Sequence, residues 1–251
     1  MVLLSFLVVT GCSRRDILDD YPVSGVEVRL DWSGVTEKLP EGVRIIFYPK
    51  DEKGRKIDTY LSVTGGEVKV PSGHYAVVIY NYDTETVLIR GEESYETIQA
   101  YTNFCKLGIA GTEKMVWGPD PLYVVNIDDL DIQNSEETLI LKLKPKLVIR
   151  TYSFSIKVQG LSNVSNVIGS IGGMADHYFL GKAYAMCDDY PINIDLNVKA
   201  GKIEGVFTTF GLPEAIITRL EIKLPVMMNL MIIKVDNSVQ EVKINPLAEL
   251  I

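Results

Sequence analysis

Apolar and polar residues alternate along much of this chain with a period of two. Val26-Glu27-Val28-Arg29-Leu30-Asp31-Trp32 is the strictest case, and it predicts a β-strand with one face in a core and the other in water. Val43 to Tyr48 predicts a second strand, closed by Pro49. Glu67-Val68-Lys69-Val70 leads into Pro71-Ser72-Gly73, a turn in which proline presets φ and glycine tolerates positive φ. Tyr75 to Tyr80 follows as a nearly unbroken apolar strand, and Val87 to Arg90 as a short one. Asp51 to Arg55 and Gly65-Gly66 read as turns.

The second half repeats the pattern. Leu139 to Leu143 and Lys146 to Arg150 are strand-like runs on either side of Pro145. Apolar residues alternate again at Tyr152, Phe154, Ile156 and Val158, and at Ile192, Ile194, Leu196 and Val198. Ile203 to Phe210, Leu220 to Leu224 and Leu230 to Val235 complete the series. Helical candidates are short, Glu92 to Ala100 and Asp128 to Leu130. Short strands separated by Gly/Pro turns predict an all-β protein of sandwich or barrel type. The 251 residues have room for two domains, and Pro145 is the natural divide, giving residues 25–145 and 146–251.

The start of the chain is different. Met1 to Val9 is almost wholly apolar and runs into Thr10, Gly11 and Cys12. It is too short for a membrane-spanning helix, which takes ~18–20 apolar residues, but it has the shape of a secretory signal. Leu7-Val8-Val9-Thr10-Gly11-Cys12 resembles the bacterial lipobox. That resemblance implies a signal over residues 1–11, diacylglycerol on the Cys12 sulfur, cleavage before Cys12, and a polar tether over residues 12–24. Acyl chains anchor stably because each buried CH₂ contributes ~0.8 kcal/mol. A signal carries positive charge ahead of its apolar run, so translation is expected to start upstream of Met1.

Composition narrows the function. The formal net charge of −8 argues against nucleic acid, which demands clustered Lys and Arg, and against a polybasic membrane contact. With Cys12 lipidated, Cys105 and Cys187 remain. An oxidising envelope permits a bond between them, and the other reading, which is preferred, is two buried free thiols. No Cys/His spacing suggests a zinc site, so no metal or cofactor is expected.

Several segments together carry a family resemblance. They are Val28-Arg29-Leu30-Asp31-Trp32, Pro40-Glu41-Gly42, Phe47-Tyr48-Pro49, Pro71-Ser72-Gly73-His74-Tyr75 and Tyr80-Asn81-Tyr82-Asp83-Thr84-Glu85. Arg90-Gly91, Tyr95-Glu96-Thr97, Pro119-Asp120-Pro121-Leu122-Tyr123, Gly172-Gly173-Met174-Ala175 and Gly205 to Gly211 extend it. The chain resembles a family of lipoproteins from gut-type Gram-negative anaerobes that is related to the fimbrillins, subunits and accessory proteins of type V pili. The resemblance implies two tandem transthyretin-like, Greek-key β-sandwich domains and a structural or adhesive role at the outer membrane, exposed at the cell surface, with pilus subunits as partners. Arg14 and Arg15 stand too close to Cys12 for a strand-releasing cleavage, and the C-terminus, Ile244 to Ile251, matches no donor strand. Both departures favour an accessory or anchor-type subunit over a polymerising one.

The candidate chemistry is sparse. His74 and His177 read as surface or turn histidines, and no Gly-x-Ser-x-Gly elbow nominates a nucleophile. Asp83 and Glu85 read as a solvated turn rather than the spaced carboxyl pair of a glycosidase. The acidic clusters Asp128-Asp129-Leu130-Asp131 and Asp188-Asp189 lack the spacing of a calcium loop. Met227, Met228 and Met231 read as core. Trp117-Gly118-Pro119-Asp120-Pro121-Leu122-Tyr123 stands out. Trp117 and Tyr123 beside rigid prolines can form a platform that stacks on a sugar or anchors a partner; the alternative is a loop whose Trp plugs its own core. The expectation is a non-enzymatic envelope lipoprotein whose partners are pilus subunits, or alternatively a carbohydrate-binding surface lipoprotein serving glycan uptake.

Overall fold

The computed structural model of the chain describes residues 23–51, 54–105, 114–199, 201–213 and 226–246. The predicted signal, Cys12 and the expected strand Leu220 to Leu224 lie outside them. The first sheet holds β1 (Val23–Leu30), β2 (Gly42–Pro49), β3 (Ile57–Ser62), β4 (Gly65–Pro71) and β5 (Gly73–Asn81). It also takes β10 (Tyr123–Ile132), β11 (Leu139–Leu143) and β12 (Lys146–Leu147), in the order β11-β1-β4-β3-β2-β5-β10-β12. All these pairings are antiparallel except β1 with β11, which run parallel from Val26↔Leu139 to Leu30↔Leu143. The strand β1 begins two residues before the expected domain start: Ser24, placed in the tether from sequence, is buried and donates its hydroxyl to the Gln133 carbonyl at 2.7 Å.

Burial explains why the strands read differently in sequence. On β1, Val26, Val28 and Leu30 face the core while Glu27 and Arg29 pair with each other outside. The central strands β2 and β5 are covered on both faces. Val43, Ile45, Phe47, Val77 and Ile79 enter one core with Trp32, Val68 and Val70. Ile46, Tyr48, Ala76, Val78 and Tyr80 enter another on the opposite face. A strand buried on both faces has no polar alternation to show, hence the continuous apolar runs.

That second core is closed by a small sheet, order β16-β15-β7-β6, made of β6 (Val87–Arg90), β7 (Gln99–Thr102), β15 (His177–Phe179) and β16 (Tyr184–Met186). The third sheet runs β13 (Arg150–Lys157), β18 (Lys202–Thr209), β17 (Ile192–Lys199), β14 (Val164–Gly172), β19 (Met227–Lys234), β20 (Val239–Ile244). The short strands β8 (Phe104–Cys105) and β9 (Met115–Val116) attach to it, β9 lying parallel to β17 through Val116↔Ile192. The core of the third sheet includes Ile171, Ile192, Ile194, Phe207, Met228 and Leu230, with Val116 of β9. The two halves of the chain thus lend each other strands: β8–β9 go to the later sheet, and β15–β16 return to pair with β7.

The fold is all-β, as the alternation predicts, and the helical expectations are corrected. Glu92 to Ala100 is a chain of turns ending in β7; Thr97 and Ile98 both donate backbone N–H groups to the Ser94 carbonyl. The spacing of Tyr95 and Ile98 mimics one helical face, but both side chains are drawn into the core beneath β2 and β5. Asp128 to Leu130 lies within β10, where the register shifts between Ile127 and Leu130, so the polar residues mark an irregularity in a strand. Lys146 to Arg150 is not one strand: β12 ends at Leu147 in the first sheet and β13 opens at Arg150 in the third.

Candidate functional site

Two motifs distant in sequence are stitched together around Trp117. The Asn81 side chain, buried at the end of β5, donates to the Asp83 carboxylate at 3.1 Å and the Pro121 carbonyl at 3.2 Å, and accepts the Tyr123 N–H at 2.7 Å. Asp120 accepts the backbone N–H groups of Glu85 and Thr86 at 2.5 and 2.6 Å. The Thr86 hydroxyl donates to the Gly118 carbonyl and accepts the Asp120 N–H, each at 3.0 Å. Asp83 also accepts the Glu41 N–H at 2.9 Å. These carboxylates therefore hold turns, Asp83 accepting through both oxygens and Asp120 accepting two backbone N–H groups on Oδ2.

Trp117 itself is clamped through its backbone. Its N–H donates to the Asn103 carbonyl at 3.0 Å, and its carbonyl accepts the Thr102 hydroxyl at 2.6 Å. The next residue, Gly118, sits so near β18 that a Cβ there would lie 2.5 Å from the Thr208 hydroxyl oxygen. On this fixed backbone the Trp117 side chain is 43% exposed. Tyr123 is only 6% exposed, and its ring meets Trp32 edge-on at 5.3 Å in the first core. The structure thus separates the two aromatics: Trp117 faces solvent and Tyr123 packs inside. Two further exposed aromatics that the sequence did not single out lie on adjoining backbone. Phe104 and Tyr190 meet edge-on at 4.9 Å, Phe104 is paired across from Val116, and the Val116 N–H donates to the Pro191 carbonyl. Their signal was absent from sequence because the three positions come near one another only through the β8–β9 and β9–β17 pairings.

The histidines divide. His74 is exposed, as expected, with Nδ1 3.2 Å from Asp129 and Nε2 3.7 Å from Asp131. The expectation for His177 is corrected: it is buried, and its Nδ1 lies 2.6 Å from the equally buried Asp176. It starts β15, whose inward side faces the small sheet's core, so its neighbours and not its local sequence decide its burial. Asp188 joins this pair from the loop after β16, its N–H donating to Asp176 at 2.9 Å. Cys105 and Cys187 are both free thiols, and burial pushes the Cys187 thiol up to about 11. A cleft of about 680 Å³ opens beside Tyr48, Lys56, Tyr95, Asp128 and Lys182. Several of its polar groups are paired: Lys182 with Glu96 at 2.8 Å, Tyr95 donating to Asp128 at 2.8 Å, and Lys56 donating to the Glu92 carbonyl at 3.1 Å.

Fold and surface together define an all-β protein of packed, curled sheets that presents aromatic side chains on rigid turns. The family model described as domain of unknown function DUF5119 matches residues 11–195, and the chain belongs to that family. It is 53% identical, over 98% of its length and 77% of the relative's, to a Bacteroides ovatus protein provisionally named fimbrium anchoring subunit Fim4B. A crystal structure of a provisionally assigned adhesin from Bacteroides ovatus superposes with a TM-score of 0.85 at 51% identity, covering 97% of this chain and 89% of that one. The fimbrial anchor protein Mfa2 of Porphyromonas gingivalis shares the fold, with a TM-score of 0.55 at 14% identity over 90% of this chain and 83% of that one.

Proposed function

We propose that this chain is an accessory, anchor-type subunit of a fimbrium, held in the outer membrane by lipid on Cys12 and facing the cell exterior. The observation that carries the reading is the 53% identity, across nearly the whole chain, to a protein provisionally named a fimbrium anchoring subunit. The role is mechanical and non-catalytic. A lipobox supplies the anchor, and the tether expected over residues 12–24 runs into β1, the first strand among the described residues. Because β1 is paired on both sides, to β4 and β11, a pull on the tether enters the sheet through two hydrogen-bonded ladders. Pilus subunits are the partners, docking by strand addition at an open sheet edge. The edge strand β13 suits this, since Arg150 to Ser153 are exposed.

The test is deletion of the gene in the native host, with complementation by the wild type or by Cys12→Ala. Fimbriae shed into the medium in the deletion strain, restored to the cell by the wild type and not by Cys12→Ala, are the expected result. Fimbriae that stay cell-bound and unchanged in number without the protein refute the reading. A second reading, a glycan-binding surface lipoprotein, draws on the exposed, rigidly held Trp117. It requires saturable polysaccharide binding that Trp117→Ala abolishes.

A further inference from the structure

The cluster Asp176, His177 and Asp188 has a feature that His74 and its acids lack. At His74 the two carboxylates are met through opposite ring nitrogens, Nδ1 toward Asp129 and Nε2 toward Asp131. Their donor atoms do not all fall within 4.8 Å of one another. At His177 one nitrogen faces both acids: Nδ1 is 2.6 Å from Asp176 Oδ1 and 3.9 Å from Asp188 Oδ2. One donor atom from each of the three residues falls within 4.8 Å of the other two. Four-coordinate ligands at ~2.0–2.1 Å from a zinc ion stand roughly 3.3 Å apart, so small movements of Asp176 and Asp188 bring the set to ligating separation.

The surroundings fix these donors. Asp176 and His177 are buried, and His177 opens β15, where it is paired with Met186 on one side and Tyr101 on the other. The Asp176 N–H donates to the Met186 carbonyl at 3.1 Å, and its second carboxylate oxygen accepts the Asp188 N–H at 2.9 Å. The Arg90 guanidinium lies 3.8 Å from Asp188 Oδ2, over the Tyr101 ring. The backbone contacts to Asp176 orient its carboxylate as outer-shell groups do at metal sites, while Arg90 lies near the same Asp188 oxygen that faces His177. Asp188 is exposed, leaving an approach from solvent. Two carboxylates meet one guanidinium in this cluster, and a bound cation balances that charge.

We propose that Asp176, His177 and Asp188 form a binding site for a first-row divalent cation of the zinc type. One imidazole with two carboxylates suits such an ion, whereas calcium takes six to eight oxygen ligands. The ion ties the 187–189 loop to β15, and through Arg90 to β6, so it staples the small sheet that joins the two halves of the chain.

The experiment is equilibrium dialysis of the full chain against Zn²⁺ after chelation, with Co²⁺ spectra and thermal melts alongside. The expected result is about one Zn²⁺ per chain, a raised melting temperature on adding Zn²⁺, and affinity at least roughly tenfold weaker in Asp188→Asn. His74→Ala retains wild-type binding. His177→Asn abolishes binding, and if that variant does not fold, Asp188→Asn decides alone because its side chain is 56% exposed. Failure of the wild type to bind Zn²⁺ saturably overturns the proposal. Equal affinity in Asp188→Asn overturns it too, as does a Co²⁺–thiolate charge-transfer band, which would make Cys187 a ligand in place of a carboxylate.

Discussion

Single residues decide how closely these sheets pack, and Gly205 shows it most clearly. It stands in mid-strand on β18, directly across from Phe154 on β13 and Leu196 on β17. A Cβ added there would lie 2.3 Å from the Phe154 ring and 2.9 Å from Leu196. A strand glycine normally weakens its strand, but here the phenyl ring covers the bare backbone and recovers apolar contact. Gly205→Ala is expected to destabilise the protein by roughly 1–3 kcal/mol through overpacking. Phe154→Ala also destabilises, by removing the cover. The double variant should lose clearly less than the sum, because the alanine methyl no longer has a ring to meet. Urea denaturation of the two single variants and the double tests this. Additive losses would mean that the ring does not depend on the glycine. Asn81 makes the complementary point: one buried amide, through two hydrogen bonds to Pro121 and Tyr123, holds the end of the Trp117 segment that a sequence reading sees only as a proline-rich loop.

At the scale of elements, the turns from Gly91 to Ile98 are pinned to the first sheet by Arg44 of β2. Its guanidinium donates to Asp58 of β3 at 2.8 and 2.7 Å, to Glu92 at 2.7 and 3.0 Å, and to the Tyr80 hydroxyl at 2.8 Å. The acids Asp58 and Glu92 push the Arg44 pKa further upward, and burial pushes the Tyr80 hydroxyl up. Arg44→Met leaves two carboxylates facing each other without their common partner, an expected cost of about 2–3 kcal/mol. Limited proteolysis should then cut between Gly91 and Ile98 faster than in the wild type, while unchanged rates there would place the hold elsewhere. Such a network explains what was legible in the chain and what was not. Strands with one wet face, such as β1 and β17, announce themselves by alternation. So do the doubly covered β2 and β5, as apolar runs. The strand β10 hides behind its irregularity at Asp128 and Asp129, and β15 and β16 are three residues each, too short for a period to show. The Trp117 segment was visible as a motif, but its partners Phe104 and Tyr190, and the meeting of His177 with Asp188, exist only through strand pairing.

For the whole molecule, the reciprocal loan of strands sets the folding unit. Divided at Pro145, the first half would keep β6 and β7 but lose β15, their neighbour in the small sheet. The core on that face of the first sheet would lose Ala175, Leu180, Ala185 and Phe210 from beneath Ile46, Val78 and Tyr80. The second half would lose β9 from the side of β17 and Val116 from its core. Neither half then covers its apolar surface, and hydrophobic burial is the dominant favourable term in folding. The expected outcome is one calorimetric transition for the full chain, with a van't Hoff to calorimetric enthalpy ratio of about 1. A fragment of residues 23–145 is expected to lack a cooperative transition altogether. Two resolved transitions, with the fragment reproducing one of them, would show instead that the exchanged strands are ornaments on independent domains. If the chain anchors a fimbrium as proposed, the difference is mechanical: with a core shared between the halves, a load entering at β1 and leaving at β13 opens both halves together, so the body resists as one piece rather than failing at its weaker half.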